Sequence, residues 1–285
     1  MELVRSNFTF HTGDLQKSAF GTNTNEFIQQ ANVGIKIKGN LWIDAGYFLT
    51  HIGAEGLLPK DNWLSSHSLV TYFEPFYQAG VRCSYEGEQM TAQLHLLNGN
   101  GLFDENNYNK TLGWFFSYTP NKELTVSYAG VAGNEESVQA QNVNLPYTPK
   151  THILHNIVAQ FNLIKGLTAK VQLDYATKSN MYNLIDSSST KTNNYTGAAL
   201  QIKYDYFEKY ASTFRISIIE NSKGVYTPMA NGYDLTLGME YKPYSNSFLR
   251  LESRYIKLDN KIFNDGNNAK DSRMELILNM GVWID

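Results

Sequence analysis

The strongest constraint on this chain is a two-residue alternation between apolar and polar side chains that recurs over most of its length. In residues 167–177, LTAKVQLDYAT, the apolar Val171 and Leu173 share one parity, while Lys170 and Asp174 share the other. Successive side chains of a β-strand point to opposite faces, so such a strand separates an apolar medium from a polar one. Further runs of this kind occupy residues 233–242, 248–258 and 271–285. No helical periodicity of comparable length competes with them, so an all-β chain with little helix is expected.

The alternating strands are compatible with a membrane protein although no long apolar run is present. A transmembrane helix needs about 20 mostly apolar residues in a row, and none of the 285 residues belongs to such a run. A closed β-barrel is the other structure that satisfies every backbone group in lipid, and its strands show only short alternating segments. The sequence therefore leaves a transmembrane barrel open while it excludes a bundle of membrane helices.

The connections between the alternating runs are themselves alternately short and long. Short connections lie at residues 39–40, 87–88, 120–122, 165–166, 208–211 and 243–247. Long connections lie at residues 13–25, 52–66, 99–109, 134–150, 179–193, 222–230 and 259–270. This order predicts an up-and-down antiparallel transmembrane β-barrel of about 14 strands, with short turns facing the periplasm and long loops facing outside. Both termini are expected on the short-turn side.

One run contains a proline in its middle. Residues 67–86 keep a single parity on both sides of Pro75, which predicts one long strand. Because proline cannot donate to a β-ladder, a bulge or a projection beyond the membrane is expected at that point.

Several short stretches carry a family resemblance. These are IQQANVG at residues 28–34, GNLWIDAG at 39–46, THIGAE at 50–55 and EPFYQAGV at 74–81. They resemble the OmpL-like outer-membrane β-barrel porin family. The resemblance implies a pore in the bacterial outer membrane, present as a monomer or a homo-oligomer. Family members start one hairpin earlier, after a signal peptide.

The resemblance and the first residues together bear on domain organisation. The start, MELVRSNFTF, has neither the apolar core nor the cleavage site of a secretory signal. We therefore expect residues 1–285 to form a single transmembrane β-barrel domain that lacks its signal peptide. If an upstream hairpin is missing as well, the barrel has 16 strands in place of 14.

The polar parity of the strands supplies candidates for a pore lining. These charged residues are expected to face the lumen: Arg82, Lys170, Asp174, Lys203, Asp205, Arg215, Glu240, Lys242, Arg250, Glu252, Arg254, Arg273 and Glu275. The cations near the C-terminus either form a weakly anion-attracting stripe or pair with carboxylates across strands, and the second interpretation is favoured.

The sequence offers little for catalysis, metal binding or cofactor binding. The single cysteine, Cys83, excludes a disulfide framework and has apolar neighbours on its parity. His152 and His155 are three residues apart, so a strand directs them to opposite faces. No common catalytic or nucleotide-binding motif is present, and a net charge of −3 with dispersed Lys and Arg disfavours nucleic acid. No enzyme activity, metal or cofactor is expected.

These observations predict an outer-membrane porin-like channel for passive diffusion of small hydrophilic solutes. Its partners would be outer-membrane lipid and those solutes. One alternative is a structural or ligand-binding barrel plugged by inward-folded loops, for which residues 134–150 and 179–193 are long enough. A soluble β-sandwich, which also buries one face of each strand, is the second alternative.

Overall fold

The computed structural model describes residues 3–10, 28–99, 109–134, 150–182, 190–221, 224–226, 230–266 and 268–284. Nearly all regular structure in these residues is β-strand. The helical part of the described chain consists of two 3₁₀ turns, Pro59–Asp61 and Val70–Phe73. No helix in these ranges is long and apolar enough to cross a membrane.

A single antiparallel sheet of 14 strands dominates the structure, and each strand pairs with its neighbours in sequence. Its strands are β1 (Val4–Phe10), β2 (Ile28–Lys38), β3 (Leu41–Leu49), β4 (Tyr77–Glu86), β5 (Met90–Leu97), β6 (Thr111–Tyr118), β7 (Leu124–Asn134), β8 (Thr151–Ile164), β9 (Leu167–Tyr182), β10 (Thr190–Asp205), β11 (Tyr210–Glu220), β12 (Gly232–Tyr241), β13 (Ser247–Leu258) and β16 (Ser272–Val282). The short strands β14 (Phe263–Asp265) and β15 (Asn268–Lys270) form a separate hairpin. The predicted up-and-down order and strand number are confirmed. Among the described residues, no ladder joins β1 to β16.

The prediction of a single long strand over residues 67–86 is wrong. Strand β4 begins only at Tyr77, and the residues before it turn into the Val70–Phe73 3₁₀ helix. Pro75 explains why the ladder stops there, because it has no N–H to donate and restricts the residue before it to extended conformations. The shared parity across Pro75 therefore did not reflect a continuous strand.

The two faces of the sheet differ as the alternation predicts. On β9, Leu173 and Tyr175 are exposed, whereas Gln172 and Asp174 are buried on the opposite face. Cys83 is exposed on the same face as its apolar neighbour Val81. A single sheet with apolar side chains exposed on one face is the arrangement of a membrane barrel, and it replaces the two packed sheets of a sandwich.

A hydrophobic core lies on the inner side of this sheet. Ile52, Leu69 and Val70, from the connection between β3 and β4, are buried in one cluster with inward side chains such as Leu154 and Tyr195. This core is therefore built between the sheet and a chain segment that the sheet surrounds.

Leu237 provides a test of which face contacts lipid, because it lies in mid-strand on β12 with 57% of its surface exposed. We predict that Leu237→Arg lowers the free energy of unfolding from lipid vesicles by about 2–4 kcal/mol, as for arginine near the bilayer midplane. Urea titration monitored by tryptophan fluorescence measures the change. Glu220→Arg at the end of β11 is the control and should cost about 1 kcal/mol or less. Equal costs at the two positions would contradict the assignment.

Candidate functional site

Residues 50–76, between β3 and β4, lie inside the curled sheet and are called the inner segment below. Every strand from β7 to β13 contributes a backbone or side-chain hydrogen bond to it. Seven adjacent strands can reach one short segment only if the sheet curves around it. The inner segment is therefore the feature that narrows the interior.

The beginning of the inner segment is held by amide side chains. The backbone N–H of Gly53 donates to Asn156 on β8 at 3.2 Å, and that of Ala54 donates to Gln172 on β9 at 3.0 Å. Gly53 has a positive φ of 97°, and a Cβ there would collide with the carboxylate of Glu74. Glycine is therefore required where the chain turns inward.

A buried ion pair anchors the centre of the inner segment. The carboxylate of Glu55 accepts hydrogen bonds from Arg215 on β11 at 2.9 Å and from Gln201 on β10 at 3.0 Å. Its other oxygen accepts from Ser68 N–H and from the Thr71 hydroxyl, both at 2.7 Å. Burial opposes ionisation of Glu55, but the Arg215 charge and these hydrogen bonds outweigh it and lower its pKa. Glu55 is thus a fully satisfied carboxylate.

Arg215 also bonds to the backbone of the inner segment. Its guanidinium donates to the carbonyl oxygens of Ser66 at 2.5 Å and His67 at 3.0 Å. A second buried carboxylate, Asp234 on β12, lies 3.2 Å from it. One inward arginine therefore satisfies two backbone acceptors and forms ion pairs with two carboxylates, of which Asp234 is also paired with Arg254.

Strand β13 supplies a second anchor. Arg250 donates to the carbonyl oxygens of Pro59 at 2.6 Å and Asn62 at 2.7 Å, while its Nε bonds to Glu240 at 2.5 Å. Glu252, two residues further on and on the same face, accepts from the N–H groups of Ser65 and Ser66. Adjacent inward positions of one strand thus bind donors and acceptors of the same irregular backbone.

The end of the inner segment carries a second buried carboxylate, Glu74, which faces a like charge. Glu74 accepts hydrogen bonds from Gln172 at 2.5 Å and from Asn156 at 3.3 Å. The side-chain amides of the same two residues also donate to Asp174. Burial, together with the neighbouring Asp174 carboxylate, raises the pKa of Glu74 well above its usual value. This pair holds a proton under conditions in which exposed carboxylates are ionised.

The structure divides the thirteen predicted lining residues by their contacts. Lys170, Arg215, Arg250 and Glu252 bond directly to the inner segment, and Asp174 lies against Glu74. The others pair within the wall: Arg82 with Asp44, Lys203 with Asp205, Lys242 with Glu240, and Arg254 and Arg273 with Glu275. Cations paired with carboxylates in this way do not form an open basic stripe.

Sequence reasoning missed the partners of these residues. Glu55 and Glu74 lie in residues 50–76, for which the sequence predicts a loop followed by a strand. Asp234 has the lumen parity of β12, but it is not among the predicted lining residues. The closely spaced Gly53, Gly56, Pro59 and Pro75 are the signal that could have marked a buried irregular segment.

The loops expected to fold inward fall largely outside the described residues. Residues 135–149 and 183–189 are not described, and strands β9 and β10 occupy the rest of the second loop. In the described ranges, no group of three or more His, Cys, Asp and Glu side chains is placed to hold a metal. His152 bonds to Tyr226 and His155 to Tyr128.

A cavity of about 370 Å³ remains between the inner segment and the opposite wall. Its lining includes Arg82 on β4, Gln93 on β5 and Phe115 on β6, together with Phe76 and residues 49–57. The inner segment is thus bound closely to the β7–β13 wall and leaves space next to β4–β6.

Comparison with known families identifies the family to which a chain with this strand order and this polar interior belongs. The profile of the family described as "Putative beta-barrel porin-2, OmpL-like" matches residues 4–283. The chain belongs to this porin family. The resemblance seen in the sequence is therefore confirmed, and with it the bacterial outer membrane as the location of the protein.

Solved porin structures share the fold of this family member. An anion-selective porin from Comamonas acidovorans is 12% identical, with a TM-score of 0.62 over 90% of this chain and 78% of the porin. The channel DcaP of Acinetobacter baumannii is 14% identical, with a TM-score of 0.59 over 98% of this chain and 79% of DcaP. The trimer form of OmpT from Vibrio cholerae is 14% identical, with a TM-score of 0.57 over 90% and 79%. No curated protein sequence matches the chain.

The ion pair of Glu55 and Arg215 can be tested by removing one partner. We predict that Arg215→Met lowers the free energy of unfolding by about 3–5 kcal/mol, because it leaves a buried carboxylate without its counter-charge. Glu55→Gln in the same chain should recover part of this loss, as a double-mutant cycle in lipid vesicles would show. Arg273→Met, at an exposed ion pair, is the control and should cost about 1 kcal/mol or less. Strict additivity of the two substitutions would contradict the pairing.

Glu74 predicts a dependence of stability on pH. Because its pKa is raised in the folded protein, its ionisation opposes folding. This penalty is absent below the unfolded pKa of about 4.3 and grows as the pH rises above it. Glu74→Gln should therefore exceed the wild type in unfolding free energy at pH 7 but not at pH 4. Glu123→Gln, in an exposed turn, is the control. A gain of equal size at both pH values would rule out the charge as its cause.

Proposed function

We propose that the protein is a passive channel for small hydrophilic solutes, formed by one barrel domain and narrowed by the inner segment. The observation that carries this proposal is the placement of polar and charged side chains on the inner face of the sheet, where they bind the inner segment. Porin barrels of about 16–18 strands, slightly larger than this sheet, use such a polar interior as an aqueous path. Membership in a porin family supports a channel rather than an enzyme.

The predicted lining residues have two roles in this proposal. Arg215, Arg250 and Glu252 act as anchors of the inner segment, since their polar atoms bond to its backbone. Arg82 lines the cavity that the inner segment leaves open, and residues nearer the strand ends, such as Lys203 and Asp205, line the wall beyond it. Solute size is then limited by the distance between the inner segment and strands β4–β6.

The two faces of the sheet indicate the partners of the protein. Outer-membrane lipid contacts the exposed apolar face, and hydrophilic solutes contact the polar interior. The trimer form of OmpT, a protein with this fold, supports a homo-oligomer as the assembly.

A plugged barrel is the second candidate, and one observation favours it. The inner segment contributes Ile52, Leu69 and Val70 to a hydrophobic core that also contains Phe48 and Leu97 from the β3–β5 wall. A core that reaches both walls supports closure of the interior at that height. Such a barrel would bind ligands or partners without conducting.

Single-channel recording in planar bilayers tests the proposal and separates the two candidates. We predict discrete conductance steps for the wild type, and a larger conductance with noisier open states for Arg250→Ala/Glu252→Ala. The physical reason is that these substitutions remove the hydrogen bonds that hold residues 59–66.

Lys122→Ala is the control for this experiment, because Lys122 is exposed in the short turn between β6 and β7 and is not among the predicted lining residues. It should conduct as the wild type does. Steps that appear only in the double variant would replace the channel by the plugged barrel. A silent wild type and a silent variant would contradict the channel as well.

A further inference from the structure

The cavity next to β4–β6 contains an arginine whose terminal nitrogens are not hydrogen-bonded by any residue that the structure describes. Arg82 donates from Nε to Asp44 at 3.2 Å, and its guanidinium lies 5.0 Å from the centre of the Phe48 ring. Its two terminal nitrogens have no hydrogen-bond partner among the described residues. With 18% of its side chain exposed, Arg82 presents a fork of N–H donors to the cavity.

Asp44 orients the guanidinium of Arg82 without bonding to its terminal nitrogens. Arg5 binds both oxygens of Asp44 at 2.6 Å, so the carboxylate is already engaged by a second guanidinium. Arg82 shares only one of those oxygens, through Nε. Its orientation is therefore fixed while its terminal donors remain open to a ligand.

The other polar groups of the cavity do not compete for Arg82. Glu55 lines the cavity, but both of its oxygens accept hydrogen bonds and Arg215 balances its charge. Burial lowers the pKa of His51, so this ring adds no positive charge near neutral pH. Gln93 accepts a hydrogen bond from His95 through its amide oxygen. Its amide nitrogen is unpartnered in the described part of the chain and adds a donor to the lining.

The remainder of the cavity wall is largely apolar. Phe76 and Phe115 line it from opposite elements, together with Leu49, Ile52 and Leu57. A binding site of this kind combines a few fixed polar donors with an apolar surface that accepts the body of a ligand. A free guanidinium fork matches a carboxylate, which it binds with two parallel hydrogen bonds.

We propose that this cavity binds a small carboxylate carried on an apolar or aromatic body. Arg82 holds the carboxylate, Gln93 donates to it, and Phe76 and Phe115 contact the body. This inference deepens the proposed channel function and rests on it, because the ligand reaches the cavity through a water-filled interior. The preferred solutes of the channel are then organic acids rather than sugars or inorganic cations.

Calorimetric titration of the purified, detergent-solubilised protein with benzoate tests the site directly. We expect benzoate to bind, and Arg82→Gln to weaken its affinity by about tenfold or more, because charged hydrogen bonds are lost. Arg82→Lys keeps the charge without the fork and should give an intermediate affinity. Lys122→Gln, at an exposed position in the turn between β6 and β7 that does not line the cavity, should bind benzoate as the wild type does.

A ligand series on the wild type keeps the test decisive if the Arg82 variants fail to fold. Benzamide lacks the charge and acetate lacks the ring, so each should bind at least about tenfold more weakly than benzoate. Equal binding of benzamide and benzoate would overturn the role of Arg82. Equal binding of acetate and benzoate would overturn the role of the apolar wall, and unchanged affinity in Arg82→Gln would overturn the site itself.

Recording chloride current in bilayers with benzoate added separates this inference from the proposed function. Steps that benzoate reduces in the wild type, but not in Arg82→Gln, support both. Conducting channels with no benzoate binding overturn the cavity site and leave the channel. Benzoate binding without any conductance overturns the channel and leaves the site as that of a ligand-binding barrel.

Discussion

The requirement that every backbone N–H and C=O be hydrogen-bonded away from water governs this structure at two levels. In the wall, hydrogen bonds between neighbouring strands satisfy this requirement. The two-residue period then places apolar side chains towards lipid and polar side chains inside. In the interior, the inner segment has little regular structure, so few of its backbone groups bond to one another. Inward side chains satisfy that backbone instead, since Asn156 and Gln172 accept from its N–H groups, while Arg215 and Arg250 donate to its carbonyl oxygens. Non-helical backbone at membrane depth is tolerated only when it is buried in protein in this way.

These bonds between the wall and the inner segment also explain the role of the inward-facing charged side chains. Arginines on β11 and β13 that could attract anions are instead buried in ion pairs and in bonds to the inner segment. The first effect of replacing these arginines would therefore be to displace the inner segment, rather than to change the charge of a pore. Arg82, on the opposite wall, differs because Asp44 fixes it through one nitrogen and leaves its end groups towards a cavity. The arginines that anchor the inner segment and the arginine proposed to bind a solute thus lie on different walls of the barrel, and the sequence pattern alone does not distinguish the two kinds.

Much of the wall could be predicted because its signals are local. The parity of LTAKVQLDYAT places Gln172 and Asp174 on the inner face and Leu173 on the outer face, and the structure agrees. Short connections such as 165–166 mark hairpin turns, where Gly166 adopts a positive φ of 82°. The exception is residues 67–76, which share the strand parity but fold inward. Nothing in a two-residue period distinguishes a strand from an irregular segment that happens to keep it, and only the absent N–H of Pro75 indicated the break.

The sequence by itself determined the all-β class, the number and order of strands, the face on which most side chains of the strands lie and the family. These properties depend on neighbours in the chain, on turn residues and on the difference between lipid and water. Only the tertiary structure decided what the inward charges do, because their partners are far away in sequence: Glu55 meets Arg215, and Glu252 meets Ser66. Such contacts arise when the sheet curves around residues 50–76 and brings distant strands to one segment. Curvature and enclosure are properties of the whole sheet, so no local pattern carries them.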